Sequence, residues 1–335
     1  MKIAVVIPVY NEINYIENLI KRILDEETEG LSIDIFAVDG CSTDGTTELL
    51  QRMASESDKI FYARNPRRIT PAALNIGLEL ALESGAEIIQ IFGGHSLVSD
   101  RYFTSLAALV RNNPDIKVFS PQYGFVPPKT IFEKAVQLFS LSPLGRNWRK
   151  MSELTKPLKG YAIGAFAARR EVFEKTGFFS EEFLRNQDND YLTRIQKAGI
   201  DLYTFPEITF YYAPRNQFNK LLKQNFQYGM YLVINSAHHG YKQKAPFLFY
   251  LTLLMLLLFM NLGLFLNNYY LTKYSFFTFT FITTFYLYAI VVETIRNVVK
   301  SGVAGLLLPF LLIPVHFIYA MGTFTGIIFG VDKDI

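Results

Sequence analysis

Pro8-Val9-Tyr10-Asn11-Glu12 sets an aromatic ring, an amide and a carboxylate side by side at the end of an apolar run. Together these groups can hold a base and a ribose; they also suit a strand-to-helix turn closed by a helix cap. A second polar stretch, Val38-Asp39-Gly40-Cys41-Ser42-Thr43-Asp44-Gly45-Thr46, combines two acids five residues apart with two glycines that permit tight turning. Gly40 and Gly45 have the spacing of a P-loop, but Thr46-Thr47 stands where that loop needs Lys followed by Ser or Thr, which excludes an ATPase-type phosphate cradle. The acids do not fall at EF-hand positions, and a capped turn is the plain alternative. Gly93-Gly94-His95 forms a third polar stretch. The single cysteine, Cys41, excludes an internal disulfide and a cysteine-rich metal site, and suits a reducing cytoplasm.

The elements around these stretches read as an alternation. Residues 2–9 are an apolar strand. Residues 14–27 make a helix with Ile16, Leu19, Ile20, Ile23 and Leu24 on one face, and Asn14 and Glu17 stand at capping-box spacing. A strand at 33–38, a helix at 45–55 and a strand at 60–64 follow. Thr70 and Pro71 suit the N-cap and first position of a helix closing near Gly85, and 87–92 is a fourth strand. The pattern predicts an α/β fold with a doubly wound, mostly parallel sheet. Ligands of such sheets bind beyond the carboxyl ends of the strands, where Tyr10-Asn11-Glu12, Asp39-Gly40 and Gly93-Gly94-His95 all fall.

Charge divides the chain. Of its 33 Lys and Arg and 30 Asp and Glu, only Lys273, Arg296, Lys300, Lys333, Glu293, Asp332 and Asp334 follow Pro246. The net charge of +3 is too small to suggest nucleic acid as a partner. A helix needs roughly 20 apolar residues to cross a bilayer. Pro246–Leu266 and Tyr274–Val292 meet that requirement without a charge, and the longer run 301–331 is interrupted by Pro309 and Pro314. The expected organisation is a soluble domain at 1–212, a basic amphipathic juxtamembrane segment at 213–245, and a transmembrane region at 246–335 with about three spans, 246–266, 274–292 and 303–329. The last run reads either as one kinked span or as a re-entrant segment plus a span. Arg215, Lys220, Lys223, Lys242 and Lys244 before the first span, with Arg296 and Lys300 after the second, place both flanks and the soluble domain on the cytoplasmic side of the cell membrane. Phe218, Leu221, Leu222, Phe226 and Met230 give 216–236 an amphipathic character suited to the bilayer surface, or to ordinary packing. The first residues, with Pro8, Asn11 and Glu12 breaking the apolar run, make a poor signal peptide.

VIPVYNE at 6–12 followed by VDGCSTDGT at 38–46 resembles the family 2 glycosyltransferases, which have the Rossmann-like GT-A fold. The resemblance continues through Asn75 and the stretches 159–179, 186–199 and 211–229, and the late motifs and apolar C-terminal part look most like the exopolysaccharide branch with succinoglycan-type transferases. It implies an inverting transferase moving a sugar from a nucleotide-sugar donor, expected to be UDP-linked, to a polyprenyl-linked or glycan acceptor, with membrane lipids around the spans. Carried onto matching positions, it makes Pro8, Tyr10, Asn11, Glu12, Asp39, Gly40, Ser42 and Asp44 the nucleotide contacts and Asp188 the general base. Asn75, Gly94, Gln187, Arg215, Gln224 and Tyr228 become donor or acceptor contacts. A homo-oligomer is left open.

Two departures bear on chemistry. The family's acidic Asp-x-Asp motif, which holds Mg2+ or Mn2+ against the leaving diphosphate, is replaced by Gly93-Gly94-His95, leaving His95 as the candidate ligand. Gln187 stands where the family usually has Glu before the catalytic Asp. Loss of two negative charges should weaken divalent-cation binding, so an alternative is an impaired homologue acting as a binding or assembly subunit. A processive synthase is disfavoured because Gln224-Asn225-Phe226-Gln227-Tyr228 lacks the Arg-Trp of the Gln-x-x-Arg-Trp motif. A transporter is disfavoured because the apolar part has few ionisable groups.

Overall fold

A computed structural model describes residues 1–26, 30–94, 96–213, 216–239 and 245–329 of the chain. The candidate residues His95 and Arg215 lie outside the described residues. The chain divides into two compact units, one made of Met1–Val126 and Lys150–Tyr212, the other of Pro127–Arg149 and Ala213–Ile335.

In chain order the elements are β1 (Lys2–Val9), α1 (Ile16–Leu24), β2 (Ser32–Asp39), α2 (Thr46–Glu56), β3 (Ile60–Arg64), α3 (Thr70–Glu83), β4 (Ile88–Ile91), β5 (Leu97–Val98), α4 (Tyr102–Asn112) and β6 (Val118–Phe125). Next come α5 (Ile131–Leu141), α6 (Arg149–Ser152), β7 (Leu158–Lys159), β8 (Ala167–Arg169), α7 (Arg170–Thr176), α8 (Gln187–Lys197) and β9 (Leu202–Tyr212). The chain continues through α9 (Phe218–His239), α10 (Ala245–Phe265), α11 (Tyr269–Ser301), α12 (Val303–Leu306) and α13 (Leu308–Phe329).

The first unit is built on one mixed sheet in the order β3-β2-β1-β4-β8-β6-β9-β5, with β7 also paired to β9. Its long ladders, β1–β2, β2–β3, β1–β4 and β6–β9, are parallel. The antiparallel joins involving β8, β5 and β7 span only two or three residue pairs each. Apolar residues along β1 and β2 are buried on both faces, as a parallel sheet covered by helices requires. One face carries a core with Ile3, Val5, Ile20, Ile35, Leu50 and Phe103, the other a core with Val6, Phe36, Leu78, Phe166 and Tyr191. Gly77 brings α3 close to the sheet, since a Cβ there would enter the Val6 side chain. The chain runs β1, β2, β3 to one side and then returns to place β4 on the other flank of β1. The carboxyl ends of β1 and β4 thus flank the topological switch point at which such sheets bind ligands.

Element boundaries differ from expectation in explicable ways. The helix after β1 starts at Ile16, and no capping box forms with Asn14: its N-cap is Tyr15, without a side-chain cap bond. The Glu12 carbonyl instead accepts from Tyr15 and Ile16 N–H, and Glu17 turns to Lys21 at 2.9 Å. Ile69, not Thr70, is the extended N-cap of α3.

The second unit is helical and includes a segment expected in the first. Residues 127–149, placed by sequence inside a 1–212 domain, cluster with the second unit because α5 needs an apolar cover. Ala135, Val136, Leu138 and Phe139 pack in one core with Leu308, Leu311, Leu312 and Val315. Thr130 and Glu133 form a complete capping box at the start of α5. His316 Nε2 donates to the Leu144 carbonyl at 2.6 Å, which leaves Nδ1 to accept from Tyr286 Oη at 2.8 Å.

Among the described residues, three helical stretches of this unit are long and apolar enough to cross a membrane: residues 248–265, 269–301 and 303–329. The second is much longer than the expected 274–292, because α11 continues through Lys273 at one end and Glu293 and Arg296 at the other. The third comprises α12 and α13, with Pro314 inside the latter. Along α13, Gly322 faces the Phe226 backbone of α9, Gly326 that of Met230, and Gly229 of α9 faces the Tyr319 backbone. Small residues that let two helix backbones touch are a device of membrane helix packing. Gly322→Ala should therefore destabilise the second unit by roughly 1–3 kcal/mol, because the added methyl meets a carbonyl rather than a movable side chain. A lowered unfolding temperature of the detergent-purified protein would show it, and an unchanged one would refute the close packing.

Candidate active site

The loops after β1 and β2 are laced together by side chains. Asn11, at φ 54°, donates its N–H to Ser42 Oγ at 2.8 Å, and its Oδ1 accepts from Thr43 N–H at 2.8 Å. Glu12 N–H donates to Thr46 Oγ1 at 3.0 Å, and Ile13 N–H to Asp44 Oδ2 at 3.2 Å. Asp44 also receives Thr46 Oγ1–H at 2.6 Å. Burial works against its charge, but the bonds from Thr46 and Ile13 prevail and hold this carboxyl below its ordinary range.

Asp39, at the carboxyl end of β2, is fully buried. Its Oδ1 accepts Ser42 Oγ–H at 2.5 Å and its Oδ2 accepts Thr47 Oγ1–H at 2.6 Å, with the Ser42 N–H shared between the two oxygens. Its carbonyl accepts from Asn65 N–H at 2.7 Å, which ties the start of the β3–α3 loop to β2. Cys41 lies alongside at φ 61°. Its thiol takes a hydrogen bond from Arg64 Nε at 3.2 Å, and that bond, with the nearby Arg68, draws the thiol's pKa down.

The side chains of two residues of these loops reach beyond the lacing. Tyr10 is 53% exposed, and its ring rests against Gly40, where a Cβ would stand 3.3 Å from Cδ2. Glu12 reaches over the β4 exit: a Cβ on Gly94 would stand 3.0 Å from Glu12 Cγ, with the Pro8 carbonyl 3.6 Å away. The β1 and β4 exits therefore meet, as the switch-point topology demands.

Asp188 occupies the first turn of α8, directly after Gln187 and the left-handed N-cap Asn186 at φ 62°. Desolvation raises its carboxyl above the ordinary Asp range, against the opposing pull of backbone N–H groups of its own turn. No cation and no side-chain hydrogen bond is recorded on it among the described residues. The neighbouring acid is employed differently: Asp190 is buried and pairs with Arg194 at 3.1 Å, whose guanidinium also donates to the Thr176 and Phe178 carbonyls. Tyr191, fully buried, stacks on Phe179 at 4.1 Å.

Asn75 is drawn into the same framework. Its Oδ1 accepts from Phe179 N–H at 2.8 Å, and its Nδ2 donates to the Phe179 carbonyl at 3.0 Å and to Glu181 at 3.3 Å, where Arg67 forms an ion pair. Gln224 and Tyr228 belong to α9 of the second unit, one helical turn apart and joined by a 3.0 Å bond. Arg146, which sequence reading did not single out, donates to Gln224 Oε1 at 2.9 Å and stacks on Trp148 at 4.8 Å. Its 78-residue separation from Gln224 left no local signal. Thr47, the second hydroxyl on Asp39, was also missed, although it is the second residue of α2.

The described residues gather no cluster of metal-ligating side chains. No three His, Cys, Asp or Glu side chains come together among them, Gly93 has no donor side chain, and the space over Gly94 is taken by Glu12.

Comparison with known proteins gives this geometry a family. The model of glycosyl transferase family 2 matches residues 4–177, and the chain belongs to that family. Its mixed, mostly parallel sheet is that of the GT-A fold. The chain is 29% identical over 255 residues to the succinoglycan biosynthesis protein ExoA of Rhizobium meliloti, covering 72% of this chain and 73% of that one. It is 26% identical over 176 residues to a dolichol-phosphate mannosyltransferase of Pyrococcus furiosus, covering 52% of this chain and about half (48%) of that relative. Among solved structures, S. aureus TarS 1-349 in complex with UDP aligns with a TM-score of 0.47 at 15% identity, over 68% of this chain and 64% of that one.

The raised carboxyl of Asp188 has a thermodynamic signature. Between the ordinary Asp pKa and the raised folded value only the folded protein holds this proton, so its contribution to stability falls as pH rises through that window and stays lower above it. Asp188→Asn removes the penalty. The variant should unfold at a higher temperature than the wild type at neutral pH, with the gap closing towards pH 4; a gap independent of pH would contradict a desolvated carboxyl.

Proposed function

We propose that this family 2 glycosyltransferase is an inverting enzyme. It moves a sugar from a nucleotide-sugar donor, expected to be UDP-linked, onto a lipid-linked or glycan acceptor at the cytoplasmic face of the cell membrane, in the synthesis of a surface polysaccharide. One observation carries the reading: Asp188 presents a desolvated carboxyl at the start of α8, with no cationic or side-chain partner among the described residues. Such a group binds a proton more readily than an ordinary carboxylate and suits a general base. As the acceptor oxygen attacks the anomeric carbon, its proton passes to Asp188. The new C–O bond forms on the face opposite the departing group, and the nucleoside diphosphate leaves with the electron pair of the broken C–O bond, inverting the configuration.

The loops at the β1 and β2 exits are the proposed donor site. Tyr10 offers the free face of its exposed ring to a base, with Pro8, Asn11, Glu12, Asp39, Gly40, Ser42 and Asp44 shaping the ground around it. Stacking on an aromatic side chain is worth roughly 1–3 kcal/mol per base. Mg2+ or Mn2+ belongs to the family expectation; no cluster of three ligating side chains comes together for it among the described residues, and no step above depends on one.

Three apolar helices and the similarity to a dolichol-phosphate mannosyltransferase support a polyprenyl-linked acceptor, and the similarity to a succinoglycan biosynthesis protein supports polysaccharide synthesis. Gln224 and Tyr228, with Arg146 beside them, are proposed contacts for an anionic carrier. Basic flanks at 215–245 and at Arg296 and Lys300 support a cytoplasmic soluble unit. Gly93 and Gln187 favour a second reading, an impaired homologue that binds or assembles without turnover.

Thermal unfolding with UDP, GDP and CDP, each with and without Mn2+, separates the two. A nucleotide at about 100 times its dissociation constant adds roughly 2.7 kcal/mol of stability. Asp188→Asn should keep that shift while losing sugar transfer by about 100-fold or more, and Tyr10→Ala should weaken the shift. Transfer undiminished in Asp188→Asn would remove the base. Neither stabilisation nor turnover by the wild type would favour the impaired homologue.

A further inference from the structure

Gly164 stands in the loop before β8, and its backbone is not left-handed, so chain geometry alone does not demand glycine there. Sterics do. A Cβ at this position would stand 2.6 Å from Asp188 Oδ2, 3.0 Å from its Cβ and 3.1 Å from its Cγ. The Asp188 carboxyl thus lies directly on the bare Cα of Gly164.

Both sides of this contact are held. Ile163 N–H donates to the buried Ser120 Oγ at 2.9 Å, and Phe166 is fully buried, with its carbonyl accepting from Ile91 N–H at 2.9 Å. Across the contact, α8 is fixed by Asp190 with Arg194, by the Arg194 bonds to the Thr176 and Phe178 carbonyls, and by Tyr191 stacked on Phe179. The soft element between two fixed backbones is the carboxyl itself, which turns about its side-chain bonds.

We propose that Gly164 is a positioning residue for Asp188: its missing side chain is the seat that fixes where the carboxyl points. The proposal rests on the assignment of Asp188 as base. A methyl at 164 would turn the carboxyl out of its seat while leaving both backbones in place. A displacement of about 1 Å at a reacting group can lower turnover by 100-fold. Once turned towards water, the carboxyl would also lose part of the desolvation that raises its proton affinity.

The test uses four full-length proteins in detergent: wild type, Gly164→Ala, Asp188→Asn and the double variant. The probe is the nucleotide sugar, among UDP-glucose, UDP-N-acetylglucosamine and GDP-mannose, that stabilises the wild type most. Turnover is read as released nucleoside diphosphate. Gly164→Ala is expected to keep nucleotide affinity within about twofold, to lose kcat by about 10- to 100-fold, and to move the acidic limb of its pH–kcat profile to lower pH. In the Asp188→Asn background the same substitution is expected to lower the residual rate no further.

An undiminished kcat with an unmoved acidic limb in Gly164→Ala would overturn the seat. An equal additional loss with and without the Asp188 carboxylate would also overturn it, while leaving the base assignment standing. Full turnover by Asp188→Asn alone would overturn the base and the seat together. If Gly164→Ala fails to fold, Asp188→Ala in the same chain decides: recovery of a cooperative unfolding transition supports the contact, and no recovery overturns it.

Discussion

A carboxylate sealed from water at the end of a central strand must be fully paired, because an isolated buried charge is among the least tolerable features of a folded chain. Asp39 is that group, and its pairing dictates the geometry around it. The two hydroxyls and one amide that satisfy it come from the next eight residues, so the β2–α2 loop has to coil back on its own strand. Coiled that way, the loop offers Ser42 Oγ and Thr43 N–H to Asn11, which fixes the β1 exit in a left-handed turn. That turn leaves the Tyr10 ring lying on Gly40 with its other face towards solvent. An exposed ring beside a sealed acid is therefore one arrangement, not two features.

The two units solve opposite problems of burial. The first hides its apolar residues on both faces of a sheet, in two separate cores. The second leaves most of α10 and α11 uncovered, which only an apolar surrounding tolerates, and hides apolar groups chiefly where α5, α12 and α13 meet. Some of its buried polar side chains find partners inside the protein: His316 in Leu144 and Tyr286, and Asn297 in Glu293. Backbone contact through Gly229, Gly322 and Gly326 replaces the interdigitating side chains that hold the sheet unit together.

Much of the sheet unit was legible in the sequence, because period and punctuation act locally. The strands after Met1 and through Arg64 fall within a residue or two of expectation, since continuous apolar runs bounded by Gly, Pro and Asp have few other uses. The strand-exit rule gathers Tyr10, Glu12, Asp39 and Gly94 from the sequence alone. What escaped was set by partners far along the chain. Asn14 looked like a cap and is not one, because Glu17 finds Lys21 and the Glu12 carbonyl finds the first amides of the helix. Residues 127–149 looked like part of the sheet domain, because nothing in their own sequence reveals that their apolar face fits helices near the C-terminus. The bareness of Gly164 means something only once Asp188 is seen lying on it. Arg146 carried no signal without Gln224.

The placement of residues 127–149 with the second unit has a consequence for the order in which the chain is made. The helix α5 ends at Leu141, and its cover does not begin until Val303 and Leu308. At a synthesis rate of about 5–20 residues per second, the ribosome needs roughly 10–30 s to lay down the intervening chain. Once Tyr212 has been made the sheet unit has all its strands available to pair, while Ala135, Val136 and Phe139 still wait for partners not yet made. The apolar face of α5 therefore stays uncovered until α12 and α13 have been made.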